Sequence, residues 1–162
     1  MECEARSTRL EAVRAHPVAE LLDCPPAIGL LLSGSAQCLN FAAGDLVFRQ
    51  SEICQGLYLV VSGQFVRHTE RMETRLTLST VRAGELVELA AALGDGRHTY
   101  TLAALSAGSV MLVPIETLNQ AFQSYPPLRM QLLEELAREV SRAYCTCCLN
   151  RTVSHRRGST AA

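Results

Sequence analysis

Leu57-Tyr58-Leu59-Val60-Val61-Ser62-Gly63-Gln64-Phe65-Val66-Arg67-His68-Thr69 holds two runs rich in β-branched and aromatic residues on either side of Ser62-Gly63. Each run is too short for a stable helix and ends at turn residues, so the stretch reads as a strand over 57–61, a tight turn and a second strand over 64–69. Working outward, the same short-strand pattern recurs at Gln37–Phe41, Leu46–Arg49, Thr74–Val81, Thr99–Leu105 and Val110–Val113. Ala43-Gly44-Asp45, Ala83-Gly84 and Ala107-Gly108 separate these strands with turn chemistry. Strands at this spacing predict antiparallel sheets curled round a core, a sandwich or jelly roll.

The period changes on both sides of the strands. Residues 9–23 read as helical with a break near His16-Pro17, and Ala27–Leu32 adds a short apolar turn. Pro114 suits a helix start, the following segment to Phe122 carries apolar residues at helical spacing, and Pro126-Pro127 ends that helix and opens another. The expected order is therefore an N-terminal helical segment (1–35), a β-barrel closed by a short helix (36–125), a long C-terminal helix (126–150) and a polar, disordered tail (151–162). The fold class is mainly β with flanking helices.

Along the long helix, Leu133, Leu136, Val140, Ala143 and Cys147 recur at alternating steps of three and four, the spacing of a coiled-coil seam. Leu132 and Tyr144 widen the apolar face enough to meet the barrel on one side and a second copy on the other. The predicted dimer interface is thus Leu133, Leu136, Val140, Ala143, Tyr144 and Cys147. A helix lying only on its own barrel would need the same stripe.

Composition bounds the function. With 162 residues, 48% hydrophobic types and a net charge of −1, the chain has the material for one globular core and no field to draw in nucleic acid or membrane. All its cations other than His are Arg. No apolar run approaches the roughly 18–20 residues of a membrane span, and Glu2, Glu4, Arg6, Arg9, Glu11 and Arg14 stand where a signal peptide would be apolar, so a cytoplasmic location is expected. An odd count of seven cysteines without an export signal argues for reduced thiols. Cys145, Cys147 and Cys148, with His155 beyond, form half of a zinc pattern without its other half, so no metal is expected. No nucleophile, base and orienting acid fall together, which makes an enzyme an unexpected reading.

Residues 37–145 resemble the sensor domain of the Crp/Fnr regulators within the cyclic-nucleotide-binding domain superfamily. The resemblance is carried by Phe41-Ala42-Ala43-Gly44-Asp45-Leu46-Val47-Phe48-Arg49-Gln50, by Leu57–Val66, by Ala83-Gly84-Glu85-Leu86 and by Val113-Pro114-Ile115-Glu116-Thr117-Leu118, in that order. Ser51 departs from the family's frequent Gly. The resemblance implies a phosphate-binding cassette over Gly84–Thr99 and a small-molecule effector, with cyclic AMP or cyclic GMP as the candidate ligand. In such a cassette a Gly lets backbone approach the ligand, a Glu accepts the ribose 2′-hydroxyl, free N–H groups hold the cyclic phosphate, and an Arg neutralises it. Gly84, Glu85 and Arg97 match the first, second and last roles, so the binding candidates are Gly84, Glu85, Leu86, Arg97, His98 and Thr99. Val87 crowds a position usually kept small, and Glu88 sets a carboxylate at the helix start, where it repels an anion. His98 stands where Ser or Thr normally follows the Arg, and Thr99 takes that role only if the register slips by one.

The Fnr-like members of that family sense gases or oxidants, which raises two further groups. An iron–sulfur cluster needs closely spaced cysteines, and Cys3 with Cys24 lacks the spacing. Haem needs an axial ligand, for which His16, His68 and His98 qualify by type alone. The barrel strands also lack the convergent His and Glu ligands of a cupin. Relatives carry a helix-turn-helix after the long helix, whereas Arg151, Arg156 and Arg157 in a polar tail give no groove placement. This predicts no sequence-specific DNA binding by the chain alone. The implied function is effector sensing relayed to a dimer helix, with two alternatives: a degenerate ligand-free dimerisation module that pairs with full-length relatives through the same helix, or the sensor part of a truncated DNA-binding regulator.

Overall fold

In the computed structural model, which describes residues 17–71 and 74–157, two four-stranded antiparallel sheets are flanked by five helices. The chain enters through α1 (Pro17–Leu21) and α2 (Pro26–Ser35), then runs β1 (Gln37–Phe41), β2 (Leu46–Phe48), β3 (Gly56–Ser62), β4 (Gln64–Arg71), β5 (Thr74–Arg82) and β6 (Leu86–Val87). A short α3 (Leu89–Leu93) interrupts the strands before β7 (Thr101–Ala104) and β8 (Gly108–Pro114). The chain leaves through α4 (Ile115–Ser124) and α5 (Pro126–Arg157). One sheet has the order β1-β8-β3-β6 and the other β2-β7-β4-β5. This is the predicted jelly roll.

The run GLYLVVS is apolar without alternation because β3 is covered on both faces. Tyr58 and Val60 point into the barrel with Phe48, Phe65, Val81, Leu102, Val110 and Leu112. Leu57 and Leu59 point outward, where Ile28, Leu32, Leu118, Leu128 and Leu132 of the helices seal them. The antiparallel partner β8 splits in the same way, with Val110 and Leu112 inside and Met111 and Val113 under the helices. At the β3–β4 turn Gly63 adopts φ +83, and a Cβ there would lie 2.7 Å from the Ala107 carbonyl oxygen, so the hairpin needs glycine on both counts.

The seven predicted strands are present with ends moved by one or two residues, and the short α2 reaches further than its apolar turn, to Ser35. The helical reading of residues 9–16 lies outside the described residues. One expectation is corrected: the backbone of residues 151–157 continues α5 as helix, where a disordered tail was predicted. No Gly or Pro interrupts it before Gly158, and extending an existing helix adds a hydrogen bond per residue without a new nucleation cost. Residues 158–162 of that tail lie outside the described residues. At 32 residues, α5 is about 48 Å long. Leu128 and Leu132 bury its first turns against the barrel helices, and beyond Glu139 its described residues are exposed. No described helix is long and apolar enough to cross a membrane.

Candidate functional site

The cassette begins where β6 ends. Val87, paired with Tyr58 on β3, is buried in the barrel, and the chain must turn there from strand into helix. Glu88 makes that turn in the left-handed conformation, φ 66 and ψ 34, which costs a non-glycine residue about 1 kcal/mol or more. Its side chain is 0% exposed. The surroundings compensate both costs: His98 Nδ1 donates to Glu88 Oε2 at 2.7 Å, Thr99 N–H donates to the same oxygen at 3.1 Å, and the Thr99 hydroxyl donates to Oε1 at 2.8 Å. The His98 ring stacks on Phe48 with centroids 3.7 Å apart and planes 3° from parallel, and Tyr58 lies against it at 5.8 Å. Burial pushes the Tyr58 phenol up to about 12. Among the described residues no buried side-chain nitrogen or oxygen is left without a partner.

A second layer reaches from this pair to α5. The Glu88 N–H donates to the Tyr100 hydroxyl at 3.1 Å, and that hydroxyl also accepts Arg67 Nε–H at 3.1 Å. Burial pushes the Tyr100 phenol strongly up, against the pull of Arg67. The same guanidinium donates to Ser79 Oγ at 3.3 Å and to the Leu86 carbonyl at 3.5 Å, and its Nη2 lies 3.2 Å from Glu139 Oε1 on α5. Burial raises the Glu139 carboxyl above its ordinary range, and the attraction of Arg67 offsets that only in part. Leu86, Glu88, Tyr100, Arg67 and Glu139 therefore form one continuous polar path from the cassette to the long helix.

The predicted site residues are only partly brought together. His98 and Thr99 converge, but on Glu88. Gly84 takes φ +89 as a turn requires, and Glu85 spends its carboxylate on the Arg82 N–H at 3.0 Å, closing that turn. Arg97 donates from Nη1 to the Ser51 carbonyl at 3.0 Å, on a loop held by the Ile53–Arg97 bridge. Of the three residues expected to meet over one guest, Glu85 thus closes the turn beside it, while Arg97 ties the cassette to the Ser51 loop. The carboxylate in the cassette interior is Glu88, three residues on, and the repulsive charge read at the helix start is the residue that organises the site. Leu86 contributes its carbonyl to Arg67. An open cleft of about 250 Å³ reaches the cassette at Gly84 and is otherwise lined by Glu20, Leu21, Leu59, Val60 and Val61.

Arg67, Tyr100 and Glu139 were missed because nothing in their sequence positions marks them. Arg67 sits at an ordinary strand position, and Glu139 is one of several acidic residues on a helix face. The haem candidates are engaged otherwise: His68 Nδ1 lies 3.2 Å from Arg75 Nη2, its pKa lowered by burial and by that guanidinium, and His98 is bound to Glu88, while His16 lies outside the described residues. Cys145, Cys147 and Cys148 are exposed on α5, and no group of three metal-ligating side chains occurs among the described residues. Cys3 and the side chain of His155 lie outside them.

A model of the cyclic nucleotide-binding domain matches residues 38–125, more than half of the chain. The chain belongs to that family. Among solved structures, this cyclic nucleotide-binding domain is similar to the Catabolite Activator Protein of Thermus thermophilus, with 23% identity and a TM-score of 0.68 over 80% of this chain and 61% of that one. It is also similar to the sensor domain of the transcriptional regulator DNR from Pseudomonas aeruginosa, with 22% identity and a TM-score of 0.67 over 88% of this chain and 93% of that one. At these identities the likeness establishes the shared fold. Among curated proteins it is similar to Neuropathy target esterase sws of Drosophila ananassae, 26% identical over 129 residues. The match takes in 75% of this chain and 8% of that protein, so the chain spans a small part of the length of that relative.

Proposed function

We propose that the chain is a cytoplasmic effector-sensing module of the Crp/Fnr type, which reports the state of its cassette through α5, and that α5 pairs with a second copy. The observation that carries this reading is the unbroken path Glu88–Tyr100–Arg67–Glu139, because it links the cassette to a helix with no other covering beyond its first turns. A small-molecule effector that disturbs the Glu88 end alters what Arg67 offers to α5, which biases the position of the helix. The family makes cyclic AMP and cyclic GMP the first effectors to test. Val140 is 59% exposed and Tyr144 70%, in line with Leu133 and Cys147 on the unpartnered side, so a second copy supplies the missing cover.

A second reading has its own support. Glu88 already occupies the donors of His98 and Thr99, as an anionic guest would. On that reading the chain is a ligand-free dimerisation module.

Calorimetry and sedimentation separate the two. Heat on adding cyclic AMP or cyclic GMP supports the sensor, and silence with both leaves the ligand-free module. Sedimentation should give the wild type twice the mass of one chain at micromolar concentration and the Val140→Asp variant the mass of a single chain, since a carboxylate buried in the seam is expected to cost the pair about 3 kcal/mol or more. An unchanged mass in Val140→Asp removes the pairing through this stripe.

A further inference from the structure

Arg67 is the one cation that bridges the barrel and α5 among the ion pairs of the described residues. Its barrel contacts, to Tyr100, Ser79 and Leu86, are all neutral oxygens that hold the guanidinium in place. Its charged contact comes from a different element and is single: one oxygen of Glu139 on one nitrogen, at 3.2 Å. Together these contacts take four of the five N–H groups of the guanidinium, so one Nη1 N–H is left for a second oxygen of an anion that replaces Glu139. The pair is not sealed, with side-chain exposures of 15% and 29%. The other carboxylates of the cassette do not compete for it, because Glu88 is held by His98 and Thr99, and Glu85 by the Arg82 amide.

We propose that Arg67 is an anion-binding residue and Glu139 its resident counter-anion, so that a compact oxyanion of the phosphate or phosphodiester class takes the place of Glu139 on the guanidinium and displaces α5. This rests on the sensor reading above and gives it a ligand-contacting residue outside the Gly84–Thr99 loop. The direction of the response follows from charge. An oxyanion on Arg67 both removes the partner of Glu139 and repels it, so binding and helix displacement are one event. The raised Glu139 carboxyl agrees, since the helix holds that group at a desolvation cost which an incoming anion relieves.

The test is amide hydrogen exchange over residues 128–142 of the full chain, in sodium phosphate and in sodium chloride of equal ionic strength. Phosphate should speed exchange in the wild type several-fold over chloride and leave Arg67→Gln unchanged, with circular dichroism checking that the variant folds. Arg67→Lys, which keeps the charge and loses the fork, should respond weakly. Glu139→Gln should bind phosphate about tenfold more tightly by phosphorus NMR line broadening, with no change in helix exchange, because the competing charge and the repelled group are the same carboxylate. Equal effects of phosphate and chloride, or a full response in Arg67→Gln, overturn the proposal. Cyclic-nucleotide heat that survives Arg67→Gln also overturns it while leaving the sensor reading intact. Nucleotide silence with a phosphate response does the reverse.

Discussion

Glu88→Ala is expected to cost about 3–5 kcal/mol of unfolding free energy, which is much of the stability of a chain this size. The substitution removes the acceptor for His98 Nδ1, the Thr99 amide and the Thr99 hydroxyl, all in a region closed to water on the Glu88 and His98 sides. Each donor left without a partner forfeits about 1–3 kcal/mol, and the vacated side-chain volume adds a cavity beneath the Phe48–His98 stack. Backbone and side chain make separable contributions here. Because Glu88 sits at φ 66, Glu88→Gly should be less damaging than Glu88→Ala by about 1 kcal/mol, the reverse of their order in an ordinary helix. Urea unfolding of the variants checks both statements. A loss below about 1 kcal/mol in Glu88→Ala would show that this network contributes little.

Gly56→Ala should be at least as severe, for a steric reason. A Cβ at Gly56 would lie 1.9 Å from the Val113 carbonyl oxygen, 2.9 Å from its carbon and 3.1 Å from the Ile115 nitrogen. These are backbone atoms of the paired strand and of the helix that follows it, so no flexible side chain can swing aside. Relief requires β3 and β8 to separate where both faces are buried, and a cost of about 3 kcal/mol or more follows. Gly84→Ala is the control: its Cβ meets nothing within 4 Å, and only the φ of +89 opposes it, which limits the loss to about 1–2 kcal/mol. Thermal melting of the two variants should separate them by about 2–8 °C or more, with Gly56→Ala the lower. Similar melting points would mean that the β3–β8 register is not as described.

The barrel was legible because each strand carries its own signal: apolar runs, or alternation, between turn residues with a mechanical reason to be there. Even the doubly buried β3 announced itself, since a strand covered on both faces has no polar side to show. β6 was not legible, as Leu86–Val87 is too short for any period. The end of α5 was misjudged for another reason. Polarity was read as disorder, although nothing between Arg151 and Arg157 breaks a helix already under way. The site divides in the same manner. His98 and Thr99 were found by their positions in the loop, whereas the choice between Glu85 and Glu88 turned on which carboxylate faces inward. That depends on the left-handed turn at Glu88, a conformation that a Glu seldom adopts and that its sequence neighbours do not foretell. Arg67 and Glu139 meet across a separation of more than half the barrel sequence, and only the assembled sheet brings them together.

The link from Glu88 to Arg67 in the proposed path depends on one hydroxyl, which receives the Glu88 amide on one side and the Arg67 guanidinium on the other. Tyr100→Phe keeps the ring and deletes that hydroxyl. Amide exchange of this variant against the wild type, without any ligand, is the direct measurement: faster exchange is predicted both in residues 88–99 and in residues 128–142 of α5. A change confined to 88–99, with α5 exchanging as in the wild type, would contradict the account.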